Sequence, residues 1–93
     1  MLEQHDLRFA EKEENYNFYL GAVVFYGQDG DTRVRCLISR ETLDDHFGGD
    51  GRDKLTVFRA NRMAIEEKAR RKYLAGRTEP DGSVLIRTGD LSS

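Results

Sequence analysis

The sequence has little of what disulfide-stabilised, zinc-binding and membrane-spanning proteins need. Its single cysteine, Cys36, cannot form an internal disulfide, and no paired Cys/His spacing is present for a structural metal. A chain with this cysteine content fits a reducing cytosol. No segment approaches the roughly 20 apolar residues that span a bilayer, and charges occur too early for a signal peptide. We therefore expect a cytoplasmic protein that is neither exported nor embedded and that binds no metal.

The motifs of common enzymes are absent as well. No glycine-rich phosphate-binding run and no zinc-hydrolase histidine pair occurs in the sequence. His46 has no Ser or Cys nucleophile in a recognisable motif near it, and the acidic stretch Asp44–Asp53 lacks the spacing of a calcium-binding loop. Cys36 shares a predicted strand face with Val34 and Ile38, which favours an inert, buried thiol. We assign no catalytic, cofactor-binding or metal-binding residue, and the sequence favours a protein without enzymatic activity.

Length and composition predict one small folded domain. The 93 residues and 10.7 kDa suit a single core, and 38% hydrophobic residues with five Phe and four Tyr supply enough apolar surface to exclude disorder throughout. We expect the domain to extend over residues 1–93, with loose ends at about 1–6 and 90–93.

The net charge of −2 conceals a segregation of charge along the chain. Residues 52–77 contain nine basic and three acidic side chains, a balance of +6, so the rest of the chain carries −8. A basic segment of this kind suits an anionic partner, an acidic surface of the same molecule, or a second copy.

Two long segments predict a β-hairpin. The run "NFYLGAVVFY" at 17–26 is rich in β-branched and aromatic residues, and "DTRVRCLIS" at 31–39 alternates apolar and basic residues. "GQDG" at 27–30 supplies the turn between them. A third strand is expected in "SVLIRT" at 83–88, and a short one at Leu7–Ala10.

Two helices are expected between the hairpin and the last strand. Ser39 can cap a short helix over "RETLDDHF" at 40–47, with Gly48 as its stop. A long helix is expected from about Asp53 to Ala75, closed by Gly76. Its apolar stripe comprises Leu55, Phe58, Ile65, Ala69 and Tyr73. The fold class is therefore α+β, with a small antiparallel sheet of three to four strands packed on one long amphipathic helix.

Three runs of the sequence resemble one family. They are "CLISRETLDDHFGG", "FRANRMAIEEKARRKY" and "DGSVLIRTGDL", and the similarity extends from about Phe9 to Leu91. In these runs the chain is similar to domain-of-unknown-function family 1488, a group of short, mainly proteobacterial proteins. The resemblance implies a small bacterial α+β fold and carries no activity, cofactor or catalytic residue. The positions that carry it are Ile38, Ser39, Leu43, Asp45, Phe47, Gly48, Phe58, Arg62, Ile65, Gly82, Val84 and Thr88.

Arg62 lies in the middle of the apolar stripe of the long helix. A guanidinium is almost never buried without a partner, because its desolvation costs several kcal/mol unless a carboxylate compensates. We expect a structural ion pair with Asp44 or Asp45 of the short helix. The alternative is that Arg62 recognises an anion.

The surface of the long helix supports two functional hypotheses. Small residues opposite the stripe predict a face for self-association, formed by Val57, Ala60, Met63 and Ala64. Basic residues scattered around the helix could contact nucleic acid: Arg59, Lys68, Arg70, Arg71 and Lys72. Because the chain is acidic overall, we favour a non-enzymatic protein-interaction module that contacts a protein partner or forms a homodimer. The alternative is a weak nucleic-acid-binding or regulatory module.

Overall fold

The architecture is a four-stranded sheet with helices against one of its faces. The structure is a computed structural model and describes residues 6–10 and 12–91. The predicted α+β fold class is confirmed. In chain order the elements are β1 (Asn15–Asn17), β2 (Ala22–Asp29), β3 (Thr32–Ser39), α1 (Arg40–Phe47), α2 (Lys54–Ala60), α3 (Arg62–Leu74), β4 (Val84–Ile86) and α4 (Thr88–Leu91).

The sheet is mixed, whereas we predicted an antiparallel one. The strand order is β1-β2-β3-β4, with antiparallel pairs β1/β2 and β2/β3 and a parallel pair β3/β4. Strands β3 and β4 run the same way because α1, α2 and α3 lie between them and carry the chain back to the starting end of the sheet, as a crossover connection does.

The first strand segment of the sequence is divided by a turn. The predicted strand at 17–26 instead contains the last residue of β1, a turn at 18–21 and the start of β2. The side-chain oxygen of Asn17 accepts a hydrogen bond from the backbone N–H of Leu20, and Gly21 has a left-handed φ of +60°. The Asn17 side chain and the left-handed Gly21 therefore close a turn whose middle residues are apolar. The expected strand at Leu7–Ala10 is reduced to one bridge, between Arg8 and Gln28.

The long helix is broken at Asn61 into α2 and α3. Asn61 has a non-helical φ of −120°, and its side-chain amide donates to the Val57 carbonyl within the same turn. This bond competes with continued helix formation. The α1 prediction is confirmed at both ends, because the Ser39 hydroxyl accepts from Thr42 N–H and Gly48 adopts the left-handed conformation.

The core lies between the helices and the inner face of the sheet. It contains the whole predicted stripe, with Phe58, Ile65 and Ala69 fully buried and Leu55 and Tyr73 packed against them. From the sheet it takes Val23, Phe25, Cys36, Ile38, Val84 and Ile86, among others. A second, smaller cluster on the outer face comprises Ala22, Val24 and Leu37, with Tyr26 and Leu85 beside them.

The expected loose ends are partly held in place. The Arg70 side chain binds the carboxylate of Asp6, and Asp90 accepts from Lys72 Nζ and from the backbone N–H of Arg87. Leu91 packs against the main core. The remaining residues predicted to be loose, 1–5 and 92–93, lie outside the described residues.

Candidate functional site

Arg62 is neutralised from within the fold. It is the first residue of α3, and its side chain is 18% exposed. One guanidinium nitrogen lies 2.7 Å from Glu14 Oε2 and the other 3.5 Å from Glu66 Oε2. The guanidinium carbon is 5.1 Å from the centre of the Phe58 ring. Arg62 is thus held by two carboxylates and an aromatic ring.

Glu14 is the centre of this arrangement. Its side chain is 4% exposed, and the same oxygen, Oε2, accepts from Arg59 Nε and from Arg62 at 2.7 Å each. Burial acts to raise the pKa of Glu14, but the hydrogen bonds from Arg62 and Arg59 hold that pKa below its ordinary value. The second oxygen, Oε1, is buried and has no hydrogen-bond partner among the described residues. We call Glu14, Arg59, Arg62 and Glu66 the Glu14 clamp.

The Glu14 clamp joins three parts of the chain. Arg59 lies at the end of α2 and Arg62 at the start of α3, so one carboxylate spans the break at Asn61. Glu14 itself directly precedes β1, which fixes this edge strand to the helices. We predicted a pair with Asp44 or Asp45, and Glu14 and Glu66 take that place instead. Helical periodicity could reveal Glu66, four residues from Arg62, but it carries no signal for Glu14.

Asp44 and Asp45 lie elsewhere. The Asp44 carboxylate is 2.6 Å from Lys54 Nζ, and Lys54 also donates to the Gly49 carbonyl at 2.7 Å. These bonds fix the loop between α1 and α2. Asp45 is exposed on α1.

Most of the basic residues predicted for nucleic-acid binding are already paired. Arg59 binds Glu14, Arg70 binds Asp6 and Glu67, and Arg71 binds Glu67. These carboxylates cancel much of the positive charge, so the basic residues of the helices attract a phosphate backbone only weakly. Lys68 is partly buried beside a hollow of about 220 Å³ near the C-terminal end of α3.

Lys72 has a structural position that the sequence did not reveal. Its side chain is buried, and Nζ donates to the carbonyl of Leu85 in the edge strand β4 and to Asp90 at 2.7 Å. A lysine directed at a strand edge occupies a carbonyl that another strand could otherwise bind. Lys72 therefore protects β4 and ties it to α4.

The predicted self-association face is smaller than expected. Val57 is fully buried in the core, so it is not available to a second copy of the chain. Ala60, Met63 and Ala64 are exposed, and Met63 is the large apolar side chain among them.

Three consecutive exposed apolar residues lie in the turn between β1 and β2. Phe18 is 85% exposed, Tyr19 is fully exposed at 101%, and Leu20 is 50% exposed. We call Phe18, Tyr19 and Leu20 the apolar tip. We predicted all three to lie in the first strand of the hairpin, although Asn17 and Gly21 at their flanks are a turn signal.

A groove lies on each side of the apolar tip. Leu20 lines a hollow of about 410 Å³ on the outer face of the sheet, together with Leu37, Leu85 and Pro80. Phe18 lines a second groove of about 500 Å³ on the helix side. The walls of this helix-side groove are Tyr16, Phe18, Arg40, Arg52, Asp53, Lys54 and Leu55.

The free cysteine, Cys36, is buried in the core. Burial raises the pKa of the Cys36 thiol to about 12, so this thiol stays protonated and unreactive. Over residues 6–10 and 12–91, no three His, Cys, Asp or Glu side chains gather in a way that could hold a metal ion. Within the same ranges, none of the helices has both the length and the apolar character needed to cross a membrane.

Comparisons with known proteins agree with this fold. The family model described as "Protein of unknown function (DUF1488)" matches residues 7–86. The chain is also similar to a crystal structure of a protein of unknown function from the DUF1488 family of Shewanella loihica PV-4. The TM-score is 0.76 at 20% sequence identity, over 86% of this chain and 90% of that chain, which shows a shared fold. No curated protein matches the chain.

Proposed function

For this chain, which belongs to the DUF1488 family and takes no assigned activity from it, we propose a function as a non-enzymatic bacterial protein-interaction module. The observation that carries the proposal is the apolar tip. Phe18 and Tyr19 present almost their whole side chains to solvent. Adjacent exposed aromatic residues flanked by polar groups mark contact sites in small proteins. The cytoplasmic location favoured by the single cysteine is part of the proposal.

The shape of the turn supports a contact role. Tyr16 packs on the core and holds the Phe18 ring edge-on, with the ring centres 4.9 Å apart. The Asn17 hydrogen bond to Leu20 and the bond from Arg40 N–H to the Gly21 carbonyl fix both sides of the turn. A surface held in this way loses little conformational entropy when a partner covers it.

A second copy of the chain is a further candidate partner. The exposed Met63 between Ala60 and Ala64 gives a small apolar patch that lets two helices approach closely. The test is sedimentation over a range of concentrations. A dimer that dissociates in Ala64→Arg supports this contact, whereas a wild-type chain that stays monomeric at high concentration contradicts it.

The proposal is tested by selecting peptides from a displayed random library on the immobilised wild-type protein. Selected peptides should bind the wild type and lose binding to the double variant Phe18→Ser/Tyr19→Ser. The matched control is Met63→Ser, which removes an equally exposed apolar side chain from another face. We expect full binding to this control. A library that yields no peptide, or peptides that bind the double variant as well as the wild type, contradicts the proposal.

A further inference from the structure

The helix-side groove has an apolar floor. Tyr16 and Leu55 both pack against the main core, and Phe18 stands above them as an exposed wall. The groove volume of about 500 Å³ is enough for one or two large apolar side chains. A partner that inserts such a side chain would cover all three residues at once.

The cationic groups of this groove differ in their pairing. Lys54 is bound to Asp44 and the Gly49 carbonyl, so its charge is compensated. The only carboxylate in the groove wall, Asp53, accepts from the backbone N–H and hydroxyl of Thr56 at the start of α2. Arg40 and Arg52 are exposed, and no partner for either guanidinium occurs in the described part of the chain.

The backbone holds both arginines in place. Arg40 N–H donates to the Gly21 carbonyl at 2.8 Å, which attaches the start of α1 to the turn that carries the apolar tip. Arg52 N–H donates to the Gly49 carbonyl at 2.9 Å, in the loop that Lys54 also fixes. Backbone hydrogen bonds therefore already fix the main chain of Arg40 and Arg52 beside the groove.

The groove on the outer face provides an internal comparison. Its wall has Arg35 together with Glu79 and Asp81, so cationic and anionic groups are mixed. The two carboxylates outnumber the one cation, so charge complementarity there does not favour an acidic partner. The helix-side groove has a definite preference, because its wall contains three cationic side chains and one carboxylate, that of Asp53.

We propose that the helix-side groove binds an acidic peptide segment, with one apolar side chain seated between Phe18 and Leu55 and flanking carboxylates paired with Arg40 and Arg52. This inference rests on the proposed function and names the chemistry of its partner. The concave shape favours a peptide over a lipid surface, since a planar membrane has no single side chain to place in a cleft.

The test uses peptides selected from the displayed random library on the wild-type protein. The selected sequences should combine acidic residues with a large apolar residue, and their affinity should fall as salt is raised. Arg40→Glu/Arg52→Glu should weaken binding roughly tenfold or more. The control, Arg8→Glu/Arg77→Glu, changes the net charge equally at exposed positions outside this groove and should bind as the wild type does.

The outcomes separate this inference from the proposed function. If the selected peptides are neutral or basic, or if they bind Arg40→Glu/Arg52→Glu unchanged, the groove assignment is overturned while the apolar tip remains a contact site. If the only ligand is a vesicle of anionic phospholipid, the peptide assignment is also overturned. If no selected peptide depends on Phe18 and Tyr19, the proposed function fails as well.

Discussion

Replacement of Glu14 by glutamine keeps the size of the side chain and removes the charge that two arginines share. Both hydrogen bonds to Oε2 are 2.7 Å long and charge-assisted, and the carboxylate is 4% exposed. Removal of one partner from a buried ion pair costs about 3–5 kcal/mol. Arg59 can return to water because its side chain is 55% exposed, and Arg62 keeps Glu66. We therefore expect a loss of about 2 kcal/mol in the free energy of unfolding.

The pH dependence of this loss follows from the lowered pKa of Glu14. In the folded protein that pKa lies below its value in the unfolded chain, about 4.3 for a glutamate. The Glu14 contribution is thus complete above the unfolded pKa and disappears as the pH falls through the folded pKa. Glutamine does not titrate, so the stability difference between wild type and Glu14→Gln should be full at neutral pH and shrink in acid.

Urea unfolding at neutral and acidic pH, followed by circular dichroism, measures this difference. The neighbouring variant Glu13→Gln is a matched control, because the Glu13 side chain is 64% exposed and its pair with Arg33 is a surface salt bridge. That variant should lose less than about 0.5 kcal/mol. For Glu14→Gln the melting temperature should fall by roughly 8–16 °C. Equal stabilities of Glu14→Gln and Glu13→Gln at neutral pH would refute the Glu14 clamp.

Three further substitutions test other parts of the fold. Lys72→Met keeps the aliphatic stem but removes the donor to the β4 edge and leaves Asp90 with only the Arg87 N–H as a donor, so urea unfolding should show a loss of about 2 kcal/mol. A hydrogen bond to Asp29 raises the pKa of Tyr73 to about 12, so one tyrosine should ionise late in an alkaline absorbance titration, and Tyr73→Phe should remove that step. Gly27→Ala should cost about 1–3 kcal/mol, because the added Cβ would lie 2.7 Å from a buried Leu7 carbon; Gly89→Ala, with open space around it, is the control.

Local signals in the sequence predicted the elements that depend on local chemistry. Helix α1 was predicted at both ends because Ser39 and Gly48 cap it through their own side chain and backbone conformation. In β3 the buried Val34 and Cys36 alternate with the exposed Arg33 and Arg35, and this alternation predicted the face of Cys36 correctly. The family resemblance is confirmed by the match over residues 7–86.

The features that were missed depend on competition between interactions. The residues of the apolar tip have high strand propensity, but the bond between Asn17 and Leu20 and the left-handed Gly21 impose a turn. Asn61 ends α2 through its own side-chain bond to a backbone carbonyl, whereas the surrounding apolar periodicity indicates one continuous helix. In both cases side-chain hydrogen bonds outweigh propensity.

The partner of Arg62 could not be predicted because it is distant in sequence. The requirement for a carboxylate follows from the cost of burying a guanidinium, and this requirement was predicted correctly. The identity of that carboxylate depends on where the segment before β1 crosses the helix break. Glu14 precedes Arg62 by 48 residues and lies in a run of four charged residues, 11–14. No periodicity relates it to α3.

A nuclear magnetic resonance titration of the nitrogen-15-labelled protein with a selected acidic peptide locates the surface on which the peptide binds. Binding in the helix-side groove should shift backbone amide signals mainly at residues 16–21, at Arg40 and at Arg52, with little change in α3. Shifts centred on Ala60, Met63 and Ala64, or on the outer face of the sheet, would contradict it.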